Sequence, residues 1–186
     1  MNSTRTIALI LTAACAATMP AANAHEMSDA PSKDDTVSVS VTNAQGKDAG
    51  TVTFEQMQHG VVIRARLMNL TEGGHGFHLH ETGKCSPDFK AAGGHYNPLG
   101  SGHGFDTENG YHVGDLPNIF AGADGIAQAD LFVPQVTLRA KDGRSYPFTL
   151  DDADGSALII HADTDDYVNM ASAGAREACG VIFPAD

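Results

Sequence analysis

The sequence predicts an all-β protein, a β-sandwich or barrel of about eight short strands. Short runs that alternate apolar and polar residues recur along the chain, separated by clusters of Gly, Asn and Asp. No run shows the period of an amphipathic helix, and no internal repeat is present. One middle segment, Thr82 to Asn118, has no period at all; it is rich in Gly and His and carries Pro87, Pro98 and Pro117. An aperiodic loop of that length in a compact domain is expected to be functional, or else is suspect as an assignment.

The strands follow in order. TVSVSVTN, from Thr36, puts Val37, Val39 and Val41 on one face, as a half-buried strand requires. GTVTFEQ, from Gly50, repeats the pattern with Val52 and Phe54. GVVIRARLMNL, from Gly60, sets Val61, Ile63, Ala65 and Leu67 against Arg64 and Arg66. GFHLHE, from Gly76, alternates Phe77 and Leu79 with His78 and His80. After the long loop, IAQADLFV, SYPFTL, ALIIHAD and CGVIF resume the strand pattern.

The N-terminus precedes the fold. Met1 to Ala24 has Arg5 in a short n-region, the apolar run IALILTAACAAT, a Pro20 break and the A-x-A site ANA, which together form a secretory signal peptide. Cys15 admits a lipoprotein reading, but LTAAC is a poor lipobox. Cleavage near Ala24 leaves a polar leader, residues 25–35, and a single domain, residues 36–186, in the periplasm or outside the cell. If His25 becomes the first residue, its amine and imidazole, with Met27 nearby, form a candidate copper-binding terminus.

The formal charge is −12, and loss of Arg5 makes it one unit more negative. Such an acidic surface argues against nucleic acid and anionic membrane surfaces as partners. The mature chain keeps Cys85 and Cys179, and in an exported protein two cysteines default to one disulfide.

Of the nine histidines, six stand in patterned surroundings: His78, His80, His95, His103, His112 and His161. Asp115 follows His112 by three. One histidine alone means little. Six, with two on one strand face, point to zinc or copper, for which neutral imidazole is a common ligand. Three His and one carboxylate would close a tetrahedral zinc site. With both cysteines oxidised, a blue-copper His₂Cys centre is disfavoured.

HGFHLHETGKC, AAGGHYNP, GYHVGDLPN, LIIHADTDD and GAREACGVI, in that order, resemble the secreted bacterial copper–zinc superoxide dismutases over nearly the whole mature chain. The resemblance implies a Greek-key β-sandwich, or flattened eight-stranded barrel, with long metal-binding loops. It implies one copper and one zinc ion per subunit, and superoxide as substrate, converted to dioxygen and hydrogen peroxide by alternating Cu(II)/Cu(I) chemistry. His78, His80, His95 and His161 resemble the copper ligands; His95, His103, His112 and Asp115 resemble the zinc ligands, with His95 bridging. Asp165 resembles the carboxylate that links a copper ligand to a zinc ligand, and Arg176 the arginine that receives the anion. His75 resembles a structural histidine, not a ligand. Cys85 and Cys179 resemble the disulfide that ties the loop to the last strand. Exported members of that family occur as monomers and homodimers, so either assembly is admitted.

Plainer readings stand beside these. Asp165 in HADTDD also reads as a solvated charge run, and Arg176 as a surface side chain. The segment His161 to Gly174 contains no Lys or Arg, where the cytosolic branch of the family carries steering lysines. Lys84 and Lys90, which flank Cys85, are then the nearest candidates for steering the anion. The main alternative function is a non-enzymatic copper or zinc storage or delivery domain of the same fold, which would lack a copper ligand or the arginine. A zinc hydrolase would need an open zinc position.

Overall fold

The computed structural model describes residues 35–140 and 147–186. The expected signal peptide, most of the leader and His25 lie outside these residues.

Eight strands make one antiparallel sheet: β1 (Thr36–Asn43), β2 (Asp48–Met57), β3 (Gly60–Leu67), β4 (Gly73–His80), β5 (Asp115–Ala121), β6 (Ala127–Val133), β9 (Ser156–His161) and β10 (Arg176–Phe183). Their order is β5-β4-β9-β10-β1-β2-β3-β6. The edge strands β5 and β6 touch without sharing ladder bonds, so the sheet nearly closes into a barrel. Neither β3 and β4 nor β6 and β9 pair, although each pair is consecutive among the eight, so the chain crosses over twice, as in a Greek key. The inner faces meet in one core that includes Val52, Phe54, Ile63, Phe77, Leu79 and Ile160.

The strand count agrees with the sequence, but one member differs. The described part of SYPFTL does not join the barrel; it contributes β8 (Phe148–Thr149), a two-residue parallel pairing with β7 (Val136–Thr137). The missing strand is β5, which straddles the end of the aperiodic loop at Asn118 and which the sequence reading did not assign. Its inward residues, Leu116, Ile119 and Ala121, are too irregularly spaced to show a period, and Pro117 masks it. Proline is tolerated because β5 is an edge strand.

β4 explains GFHLHE. Every residue from His75 to His80 is buried, although only Phe77 and Leu79 join the core. The outward face pairs His78 with Ile159 and His80 with Ala157. Ala157 and Ile159 also belong to a second, small apolar cluster with Ala92 and Cys179, and Cys85 and Phe89 pack against it. The Cys85–Cys179 disulfide crosses this cluster and ties the loop after β4 to β10. The histidines thus stand on strand backbone, on the face opposite Phe77 and Leu79.

Candidate metal centre

Among the described residues, two groups of side chains bring candidate ligand atoms within 4.8 Å of one another: His78, His80, His95 and His161, and His95, His103, His112 and Asp115. All seven residues are buried, and His95 belongs to both groups. The first group comes from strands, with His95 from the loop bridged to His80. The second comes from the loop and the first residue of β5.

In the first group each strand histidine has one ring nitrogen tied back to the protein. His78 Nε2 is 2.8 Å from Asp165 Oδ2, His80 Nδ1 is 3.1 Å from the Gly93 carbonyl, and His161 Nδ1 is 3.3 Å from the Gly174 carbonyl. The other nitrogens, His78 Nδ1, His80 Nε2 and His161 Nε2, are buried with no hydrogen-bond partner. A buried polar atom left unpaired costs roughly 1–3 kcal/mol. Three unpaired imidazole nitrogens in one group of converging ligand atoms are what a bound metal would satisfy, and the all-nitrogen set suits copper.

In the second group Asp115 Oδ1 lies 2.6 Å from His95 Nδ1, 3.2 Å from His103 Nδ1 and 3.3 Å from His112 Nδ1. The last contact lacks hydrogen-bond geometry, and His112 Nδ1 counts as unpaired. Ligands about 2.0–2.2 Å from a tetrahedral zinc would sit about 3.3–3.6 Å from one another. The His103 and His112 contacts are close to this, the His95 contact is a shorter hydrogen bond, and three imidazoles with one carboxylate are a zinc donor set. Asp115 Oδ2 is held separately, by the N–H groups of Gly104 and His112.

The charges suit metal binding. Burial pushes His78 down, and His80 well down, with the neighbouring His95 lowering both and Asp165 partly opposing the shift at His78. Burial likewise carries His161 down to about 3, with His78 adding to the shift. These rings are therefore neutral, as ligands must be. Burial pushes the Asp115 carboxyl up, but His95 and the Gly104 N–H outweigh it and hold the group well below the usual carboxylate range.

Asp165 lies between the two groups. Oδ2 meets His78, and Oδ1 is 3.2 Å from His103 Nε2. Asn118 holds its backbone from both sides, accepting from the Asp165 N–H and donating to its carbonyl. Asp165 is thus buried against both histidines, unlike a solvated charge run.

Arg176 pairs with His161 across β9 and β10 and donates to the Phe89 and Gly93 carbonyls. The Gly93 carbonyl therefore holds both His80 and Arg176. Gly93 has φ +73, a backbone that favours glycine, and a Cβ there would press on Glu81 at 2.8 Å. A cleft of about 510 Å³ opens beside Arg176, lined by Ala44, Asp88, Phe89, Lys90, Gly174 and Ala175. Lys90 lines it and Lys84 does not; both are exposed.

Sequence reasoning missed three supports. The Gly93 carbonyl and Asn118 carry no motif of their own. At Gly76, a Cβ would meet Ala173 Cβ at 2.7 Å and His78 Cε1 at 3.1 Å, so only glycine fits beside the first histidine of the pair. His75 lies apart from both groups, bonded to the carbonyls of Thr71 and His161. His59 is an exposed turn residue.

A nearly closed β-barrel whose outer face carries an all-nitrogen and a mixed nitrogen–oxygen group sharing one imidazole defines a scaffold for two metal ions with a common ligand. The family model for copper/zinc superoxide dismutase matches residues 48–182. A superoxide dismutase [Cu-Zn] of Caulobacter vibrioides is 46% identical over 146 residues, 76% of this chain and 82% of that one. The solved structure of a SOD-like protein from Bacillus subtilis superposes with TM-score 0.71 at 39% identity, covering 78% of this chain and 97% of that one. The Cu/Zn superoxide dismutase from Brucella abortus does so with TM-score 0.64 at 31% identity, covering 79% and 99%. The chain belongs to the copper/zinc superoxide dismutase family, and its two histidine groups fit a copper and a zinc ion.

Proposed function

We propose that the chain is an exported superoxide dismutase in which His78, His80, His95 and His161 hold copper, and His95, His103, His112 and Asp115 hold zinc. The observation that carries this reading is the shared His95: its Nδ1 lies in the second group against Asp115, which leaves Nε2 for the first. Bound copper supplies alternating Cu(II)/Cu(I) chemistry, by which one superoxide is oxidised to dioxygen and a second, with two protons, is reduced to hydrogen peroxide.

The chain's own groups do the rest. His78 and His80 present their nitrogens from strand backbone, so the copper set is rigid. His95 Nε2 is the atom placed to take up and return a proton on the copper side, while Nδ1 keeps the ring seated beside Asp115. Asp165 orients His78 and His103 together, which couples the two sets. Arg176 offers positive charge beside the copper set, and its charge contributes to keeping His80 and His161 neutral.

The overall negative charge opposes an anionic substrate, so local cations must guide it. Lys90, on the cleft that Arg176 lines, serves this better than Lys84. The disulfide supports export, with signal cleavage near Ala24.

The storage or delivery reading predicts metal binding without turnover. The four histidines bring their nitrogens together, and Arg176 is present on the strand beside His161, which favours the enzyme. Arg176→Leu separates the two. The enzyme reading expects wild-type protein loaded with both metals to consume superoxide, and the variant to keep its copper while losing most of that rate. A loaded wild-type protein that does not turn over would favour storage.

A further inference from the structure

His161 ends β9 beside β10, which slips register against it at that point. β10 shifts between Arg176 and Ala178, whereas β4 keeps a continuous register with β9 from Phe77 to His80. In β10 Arg176 pairs with His161 and Ala178 with Ile160, so Glu177 is the extra residue. A bulge sets two residues against one and re-aims their side chains. Here Arg176 reaches the loop carbonyls, and Glu177 reaches elsewhere.

Glu177 Oε1 accepts from the Thr71 N–H at 2.8 Å, and Oε2 accepts from the Thr71 hydroxyl at 3.3 Å. Oε2 also lies 3.0 Å from His75 Nδ1; the glutamate side chain is 12% exposed and the imidazole 1%. The same Nδ1 is 2.7 Å from the His161 carbonyl, and Nε2 is 2.9 Å from the Thr71 carbonyl. One carboxylate thus joins the segment before β4, a buried ring and the backbone of the last residue of β9. Withdrawing a carboxylate from water is costly unless it is bonded, and this one is bonded to the clamp alone among the contacts described.

The clamp acts where the metal set is least secured. The tie from His161 Nδ1 to Gly174, at 3.3 Å, is longer than those of His78 and His80. A ring with a weak second tie depends on its backbone for aim. We infer that Glu177 is a positioning residue of the copper set, acting through His75 on the backbone of His161. This rests on the reading of His161 as a copper ligand.

The test times copper release to a chelator from full-length, disulfide-oxidised protein loaded with copper and zinc, beside the Cu(II) electron paramagnetic resonance spectrum. Cobalt in the zinc set reports on that set by its visible bands. Glu177→Met, which keeps the length but removes the acceptors, is expected to release copper about tenfold faster and shift the copper spectrum. The cobalt bands stay unchanged. Glu177→Gln, which keeps an oxygen for the Thr71 N–H but sets an amide N–H against His75 Nδ1, is expected to fall between the Met variant and the wild type. Once His75 is replaced by Phe, Glu177→Met should add nothing further. Should the Met variant not fold, Glu177→Ser, too short to reach His75, takes its place. Unchanged copper release and spectrum with only a lower melting temperature would overturn the inference, as would effects of the two sites that simply add. A wild-type protein that takes up no copper would instead overturn the metal reading itself.

Discussion

Asp165 and His78 are hydrogen-bonded at 2.8 Å, and neither side chain is more than 1% exposed. The other oxygen of the carboxylate reaches His103, so one buried acid orients a histidine in each metal group. Burial pushes the Asp165 carboxyl up, but the His78 bond and the Tyr167 N–H hold it well below the usual range, so it remains a carboxylate.

Asp165→Ala should therefore weaken metal retention in both groups, by about tenfold to a hundredfold for copper, because the ring of His78 loses its only described tie. Competition with a chelator measures this. Asp165→Asn, which keeps one acceptor oxygen, should fall between the variant and the wild type.

The apo protein should lose stability as pH falls. His78, His80 and His161 titrate lower in the fold than their ordinary value of 6.5, because burial disfavours the cation. The unfolded chain then binds more protons than the fold, and its stability rises with pH over that range. The histidine contribution is present above about pH 6.5 and is lost as pH falls toward the His161 value of about 3. Asp115 and Asp165, held low in the fold, act in the same direction at more acid pH. Thermal melts of chelator-treated protein from pH 7 to pH 4 should show a steady fall in Tm; a flat profile would contradict this.

Breaking the disulfide should cost stability and also disturb the copper side. Closing a loop of 94 residues is worth about 4–5 kcal/mol in the chain-entropy account. The loop also supplies the Phe89 and Gly93 carbonyls that hold Arg176. Cys85→Ser with Cys179→Ser should show both a large drop in denaturation midpoint and a lower rate per bound copper.

Lys90→Met should lower the superoxide rate at low ionic strength and flatten its dependence on salt, whereas Lys84→Met should do little. Only Lys90 shares the cleft with Arg176. Equal effects of the two substitutions would show that the cleft does not guide the anion.

Much of this was legible before the structure. Strands with strict alternation, such as TVSVSVTN and GVVIRARL, declare one buried face, and β4 announced its two histidines by the same rule. The metal groups were legible because histidine is costly to bury without a purpose and because their motifs resemble a known family. β5 was not, because an edge strand with a proline and one apolar face at irregular spacing looks like a loop. Glu177 was hidden for a related reason. A bulge breaks the period-two rule, so sequence parity cannot say where Arg176 and Glu177 point. The carbonyl of Gly93 was invisible because a backbone acceptor has no letter of its own.

The central claim is that the shared His95 joins a redox-active copper set to a zinc set. The most direct test measures superoxide decay with mature, disulfide-oxidised protein in three states: loaded with copper and zinc, loaded with zinc alone, and free of metal. The account predicts rapid decay in the first state only, rising in proportion to bound copper up to one equivalent per chain. Stoichiometric binding of both metals without faster decay than in the metal-free protein would contradict it.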